Sequence, residues 1–471
     1  MTLLSVRSLV RLLNTVEPVE DLPDATGIAF DSRRVRPGDA FFALPGESGH
    51  GIAFADDAIA RGAALVVSDR PHRRGLLVDD ARGAILALGR AARDRLAGPV
   101  VAISGSAGKT STKALLAAAL PGRSTPGNMN THYAIAGALV SAAMQDADLP
   151  PGAKGAPLVL ELGIDRPGEM AELLELTRPD HALLTTIAAS HTQALGDVAG
   201  VAREKALLLE RTPGVKLAGA TAALYLDAPT LAHTVVVAVV GKDAPMPPEF
   251  AGAAASVVGS ADEPLGGRTA LRWRDAGDTG AVVLPWPGRA MAQNALASVA
   301  LAVRLGSSRQ GAWERVAQAE LEHGRLERSE LQGLTLIDDS YNSNPASLAE
   351  ALDVLRASPA PRAAFLGDMR ELGSLDRESH LRAGEATLGL DLVVAVGPSS
   401  AALLETNPAA VHVPDAAGAC ALLARVPRGA TLLVKGSRSV GMERVVEAAR
   451  ALASAGAWLT PGETVEEGAS C

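Results

Sequence analysis

Val100-Val101-Ala102-Ile103-Ser104-Gly105-Ser106-Ala107-Gly108-Lys109-Thr110-Ser111 is the stretch on which the fold turns. Val100–Ile103 is an apolar run that reads as a strand. Thr110 to Leu120 reads as a helix, stopped by Pro121-Gly122. The small residues between them let successive backbone N–H groups turn toward one anion, and the helix adds its positive end. Lys109 is placed to reach β- and γ-phosphates, and the Thr110 hydroxyl to ligate Mg²⁺. A full phosphate-loop motif would have glycine where Ile103 stands, so a helix-start turn with a solvated lysine competes with this reading. Strand before and helix after favour the nucleotide, with Gly105, Ser106, Ala107, Gly108, Lys109, Thr110 and Ser111 as the ATP-binding set.

Working outward, Glu161 follows the apolar run Pro157–Leu160, where a carboxylate ligand for a hard cation belongs; a plain strand-end acid is the alternative. His191 follows the run Ala182–Thr186 and reads either as a functional residue or as a hydrogen-bonded loop histidine. Lys205 falls in a helical stretch, Val201–Glu210, where a solvated surface lysine is the simpler reading. Strand and helix alternate through this region, which implies a parallel sheet with helices on both faces. From Ala218 to Leu284 the chain becomes strand-rich, and from Asn294 to Leu305 it is helical again.

Past Gly324 one unit recurs: apolar strand, polar loop, helix. Leu334–Ile337 leads into Asp338-Asp339-Ser340-Tyr341-Asn342, Ala363–Leu366 into Gly367-Asp368, Leu392–Val396 into Gly397-Pro398, and Thr431–Val434 into Lys435-Gly436-Ser437-Arg438. Ligands bind beyond the carboxyl ends of strands in open α/β sheets, which is where these loops fall. Before Gly98-Pro99 lie short strands, turns and two helices, near Phe54–Gly62 and Arg82–Leu96. The expected fold is therefore α/β in three domains. Residues 1–98 form a small α/β domain, 99–323 a phosphate-loop ATPase domain with a parallel sheet plus a strand-rich part, and 324–471 a Rossmann-like domain. A hinge is expected near Glu322–Gly324.

Composition narrows the function classes. Of 471 residues, 48% are apolar, enough to build several cores, and only 3% are aromatic, too few for base-stacking platforms. The formal charge of −9 excludes a broad nucleic-acid field, so anions must be gripped locally. Two cysteines, Cys420 and Cys471, exclude a disulfide framework and fit a reducing compartment. Arg7 and Arg11 interrupt the first apolar run, so no signal peptide is expected, and the longest apolar run, Thr234–Val240, is far below a membrane span of about 20 residues. A soluble, cytoplasmic, monomeric protein is the expectation, with no nucleic acid and no membrane insertion.

Taken in order, these residues resemble the Mur ligase family. The resemblance runs through Asp31-Ser32-Arg33, Pro37-Gly38-Asp39-Ala40-Phe41-Phe42, the phosphate loop, Thr125-Pro126-Gly127-Asn128-Met129-Asn130, Glu161-Leu162-Gly163, His191 and Lys205. It continues through Tyr341-Asn342-Ser343-Asn344-Pro345, Gly367-Asp368-Met369-Arg370-Glu371-Leu372-Gly373 and Lys435-Gly436-Ser437-Arg438. It implies an ATP-dependent ligase working through an acyl-phosphate. The branch it resembles joins D-alanyl-D-alanine to UDP-N-acetylmuramoyl-tripeptide, in peptidoglycan synthesis.

The resemblance also implies roles. Lys109, Lys205, His191 and Lys435 would be catalytic, and Thr110, Glu161 and His191 would hold Mg²⁺. Lys205 matches a lysine that relatives carbamylate. Asn294 would meet adenine, Asp339 the ribose, and Arg325 a phosphate. Ser32 and Arg33 would bind the uridine nucleotide, with Asn130, Asn342 and Arg438 near the acceptor or the reacting carboxylate. Ala107, Thr131-His132 and Ala290 depart from the family's usual residues. The competing readings are a sibling ligase that adds one amino acid, a nucleotide-dependent switch, and a non-catalytic nucleotide-binding partner.

Overall fold

The computed structural model describes residues 2–15, 21–46, 49–240, 250, 252–262 and 267–458. The acidic tail after Gly462, and Cys471 with it, lies outside the described residues.

Three sheets follow one another along the chain. The first holds β1 (Gly27–Ala29), β2 (Asp39–Phe42), β3 (Leu65–Ser68) and β4 (Gly75–Leu77), in that order and all parallel. The second holds β5 (Val100–Ser104), β6 (Arg123–Ser124), β7 (Leu158–Glu161), β8 (His181–Leu184), β9 (Lys216–Gly219), β10 (Val235–Val240), β11 (Ala255–Asp262), β12 (Thr269–Asp275) and β13 (Asp278–Leu284). Their order is β13-β12-β11-β10-β9-β8-β5-β7-β6. It is parallel from β6 to β11 and antiparallel beyond, so the strand-rich stretch extends the second sheet rather than forming a sheet of its own. The third holds β14 (Glu327–Leu331), β15 (Leu334–Asp339), β16 (Arg362–Gly367), β17 (Leu392–Val396), β18 (Val411–Val413) and β19 (Thr431–Lys435), in the order β14-β15-β19-β16-β17-β18.

Some expected element ends move. β7, β15 and β19 each run past their apolar residues, to Glu161, Asp339 and Lys435. Asp338 and Asp339 are thus buried strand residues rather than loop residues. The helix expected from Asn294 begins at Arg289. Lys205 is buried within the helix Val198–Arg211, which removes the solvated-lysine reading.

Packing divides the molecule unevenly. The helix Ala81–Arg93 turns Ile85, Leu88 and Ala92 inward, and its Gly89 lies so close to the helix His132–Asp146 that an added Cβ would stand 2.8 Å from Ala136 Cβ. One continuous apolar cluster therefore runs from Leu9 and Phe42 under the first sheet to Leu160 and Leu184 in the second. The clusters of the third sheet, around Phe365 and around Leu352, are separate from it. Gly324, at φ +73°, marks the crossing between the two bodies. The chain there is the expected hinge segment, and a cleft opens beside it.

Candidate active site

The cleft measures about 600 Å³ and is lined by the phosphate loop on one side and the strand ends of the third sheet on the other. Gly108 takes φ +77° as the N-cap of the helix Lys109–Ala119. A side chain there would also strike Asn294 Nδ2 at 2.8 Å. The loop is braced from β8's extension: Ser106 N–H donates to Thr186 O at 2.8 Å and Ala107 N–H to Thr186 Oγ1 at 3.0 Å. The first-turn amides of the helix have no intrahelical acceptor and belong to residues that line the cleft, Lys109, Thr110 and Ser111, an arrangement suited to phosphate. Lys109 Nζ folds over its own loop to Gly105 O at 2.9 Å. Burial pushes the Lys109 ammonium below its usual pKa, with Glu161 and Asp165 pulling it back and Arg325 adding to the fall.

Thr110 and Glu161 are joined. Thr110 Oγ1 donates to Glu161 Oε2 at 2.8 Å, and the other carboxylate oxygen accepts from Asn130 Nδ2 at 3.1 Å. Glu161 is 2% exposed, so this acid is held by its neighbours and not by water. From across the hinge, Arg325 Nη2 reaches Thr110 Oγ1 at 2.8 Å, and its guanidinium carbon lies 4.2 Å from the Tyr341 ring centroid. Arg438 lies 5.5 Å from the same ring.

On the third sheet, Lys435 Nζ meets Asp339 Oδ2 at 2.5 Å and donates to Asn342 O at 2.9 Å. The second Asp339 oxygen accepts from Leu326 N–H at 3.2 Å. Burial lifts the Asp339 carboxyl above its ordinary value, against the pull of Lys435. Asn344 caps the helix Pro345–Ala357 and sends Nδ2 to Ser106 O at 3.0 Å, tying that helix start to the phosphate loop.

His191 stands apart from the Thr110–Glu161 pair in its contacts. At φ +53°, its Nδ1 lies 2.5 Å from Glu371 Oε2 and 3.1 Å from Asp165 Oδ1. The segment Glu371–Gly373 docks there: Gln193 N–H donates to Glu371 O at 3.1 Å and Thr192 Oγ1 to Leu372 O at 2.8 Å. Lys205 is 1% exposed. Burial drives its pKa well below the usual lysine value, and the charge of Lys109 drives it further, against Asp165, Glu204 and Glu161.

The cleft thus gathers Lys109, Thr110, Glu161, His191, Asn130, Asn294, Arg325, Asp339, Asn342, Lys435 and Arg438. Ser32 and Arg33 are not among its walls: Ser32 is buried in the first domain, and Arg33 is exposed and paired with Asp31 at 2.8 Å. They connect to it through the helix His132–Asp146, whose start lines the cleft while Gly137 faces Phe30 and Ile28 beside β1. Sequence reasoning passes over Lys113. Its buried ammonium contacts Gly127 O and lies 3.7 Å from Glu322 at the hinge. It misses Asp165 and Glu350 as well; nothing in their local sequence distinguishes them from surface acids.

Residues 24–93 match the model of the Mur ligase family catalytic domain, 103–302 the Mur ligase middle domain, and 324–438 the Mur ligase glutamate ligase domain. The UDP-N-acetylmuramoyl-tripeptide--D-alanyl-D-alanine ligase of Escherichia coli (strain K12) is 33% identical over 438 residues, covering 89% of this chain and 93% of that one. The protein of the same name from Synechocystis sp. is 31% identical, over 95% and 97%. Among solved structures, MurF from Acinetobacter baumannii superposes with a TM-score of 0.79 at 26% identity, covering 95% and 98%. MurF ligase from Thermotoga maritima in complex with ADP gives 0.75 at 25% identity, covering 90% and 97%. The chain, alike to these proteins from end to end and in each of its three parts, belongs to the Mur ligase family.

Proposed function

We propose that this protein joins D-alanyl-D-alanine to UDP-N-acetylmuramoyl-tripeptide at the expense of ATP, through an acyl-phosphate. The observation that carries the reading is the Arg325–Thr110 contact, which brings the third domain's polar strand ends over the phosphate loop. A carboxylate is a poor acyl donor because its leaving group would be oxide. Transfer of the γ-phosphoryl to that carboxylate supplies a leaving group that the dipeptide's amine can displace, and catalysis reduces to positioning and charge stabilisation.

Lys109, the first-turn amides and Arg325 face the phosphates. Thr110 and Glu161 are buried, hard oxygen donors 2.8 Å apart and fit Mg²⁺. When bound, the ion would neutralise phosphate charge. His191 belongs to this reading through Asp165 and Glu371 rather than through direct contact with Glu161. A neutral Lys205 amine can add to CO₂, forming an N–C bond and losing a proton, which leaves a negative carbamate beside Lys109. Asn130, Asn342, Lys435 and Arg438 hold the reacting carboxylate and the incoming amine, with the cationic pair placed to steady the tetrahedral oxyanion. Ser32 and Arg33 receive the uridine nucleotide at the far end of the substrate, and Asn294 meets the adenine. Closure of the third domain about Gly324 excludes water from the acyl-phosphate. In this reading the protein acts as a monomer, in the cytoplasm, where ATP and a UDP-linked precursor are at hand.

The test is phosphate release with Mg²⁺ and ATP. It should require both UDP-N-acetylmuramoyl-tripeptide and D-alanyl-D-alanine. Equal release with a single amino acid in place of the dipeptide would transfer the chain to a sibling activity.

A further inference from the structure

The helix Pro345–Ala357 works as a ruler along the cleft. Its cap, Asn344, touches the phosphate loop at Ser106 O. Its other end reaches the start of the helix Arg289–Arg304, where a Cβ on Gly288 would stand 3.1 Å from Val354 Cγ2. Between these points, Ser347 and Glu350 both line the cleft, one turn apart on a single face. Glu350 lies six residues beyond Asn344, about 9 Å at helical rise. On the ATP reading above, that lies past the phosphates and toward the nucleoside.

Two further facts single it out. Among the described residues, no hydrogen-bond donor or cation within ion-pair distance meets the Glu350 carboxyl, whereas both oxygens of Asp339, the acid expected at the ribose, are engaged by Lys435 and the Leu326 amide. Ala290, Met291 and Leu326, which also line the cleft, are apolar, and Asn294 lies against Gly108. A carboxylate with spare lone pairs is suited to accept from two adjacent hydroxyls.

We infer that Glu350 is the acceptor for the ribose hydroxyls of the bound nucleotide and a determinant of nucleotide affinity. This rests on the ATP reading above. Burial lifts the Glu350 carboxyl to about 7, with Asp339 and Asp353 adding to the rise and Lys435 and Arg289 opposing it. Hydroxyls donated to it stabilise the ionised form, so nucleotide binding near neutral pH should expel a proton from this group.

The experiment is calorimetric binding of ADP, 2′-deoxy-ADP and 3′-deoxy-ADP with Mg²⁺, to the full chain and to Glu350→Gln and Glu350→Ala. The wild type should lose about tenfold in affinity for at least one deoxy analogue, the scale of a hydrogen bond to a charged group. In Glu350→Ala the analogues should bind within about twofold of ADP. Glu350→Gln, which preserves shape, should bind ADP more weakly and release fewer protons than the wild type in buffers of differing ionisation enthalpy. If the variants discriminate as strongly as the wild type, or the wild type binds all three ligands alike, Glu350 does not read the ribose although ATP binding stands. Loss of discrimination against inosine diphosphate instead would assign it to the base and overturn the inference. A wild type that binds no ADP would remove the ATP reading itself.

Discussion

Arg325 and Thr110 lie 215 residues apart in sequence and 2.8 Å apart in space, guanidinium to hydroxyl. The arginine directly follows Gly324, and the threonine stands in the first turn of the helix after the glycine-rich loop. Arg325→Ala should therefore reduce turnover by about 10²-fold, the scale of removing one charge-stabilising donor, while ADP affinity falls far less. Steady-state rates beside ADP calorimetry check this. A matched loss in both would make Arg325 a binding residue only.

Lys113 joins two segments that deliver site residues. Gly127, which it contacts, precedes Asn130, and Glu322 precedes Arg325. Lys113→Met should raise KM for the acceptor and slow turnover several-fold by loosening both segments. Lys113→Arg should restore most of the rate. Unchanged kinetics in the methionine variant would reduce the ammonium to a packing element.

Lys205 offers a chemical readout. Only a neutral amine adds to CO₂, and burial with the charge of Lys109 holds this one's pKa well below the ordinary lysine value. The adduct should be complete above that depressed pKa and lost as the pH falls through it. With ¹³C-bicarbonate, one carbamate resonance should be present in the wild type and missing from Lys205→Met. A wild-type spectrum without it disposes of the modification.

Glu350 also makes stability depend on pH. Its carboxyl holds a proton in the folded protein up to about 7, against an ordinary 4.5. The unfolded chain ionises first, so rising pH across this interval costs the folded state, at about 1.4 kcal/mol for each pH unit crossed, before solvent at the cleft mouth reduces it. Glu350→Gln should be more stable than the wild type near pH 8, by on the order of 1–2 kcal/mol, and the difference should vanish below about pH 4, where the carboxyl is protonated in both states. Unfolding curves at the two pH values decide it; a pH-independent difference contradicts the assignment.

Much of this molecule is readable from the amino acids, and the misreadings share a cause. Glycines around Lys109 and the strand before them place the phosphate loop, and four apolar runs place the core of the third sheet. Hydrophobic pattern ends the strands at Glu161, Asp339 and Lys435 too early, because it stops at a charge. The backbone does not stop there, because Thr110 and Asn130 satisfy Glu161 while Asp339 and Lys435 satisfy one another. Lys205 reads as a surface residue for the converse reason: nothing local reveals that a helix face is covered. Contacts across the hinge, such as His191 with Glu371, depend on which loops face one another, and one stretch of chain does not carry that information.

Gly89 is seated closely on Ala136 and one apolar cluster runs beneath the first two sheets, while the third has its own cores. On the proposed function, a precursor anchored by its uridine near Arg33 and reacting beside Thr110 would span that shared core, so the packing of the first two sheets would set its reach. Stem peptides one residue shorter or longer should be anchored equally well yet present no carboxylate where the phosphoryl group arrives, so that they bind as inhibitors and are not extended.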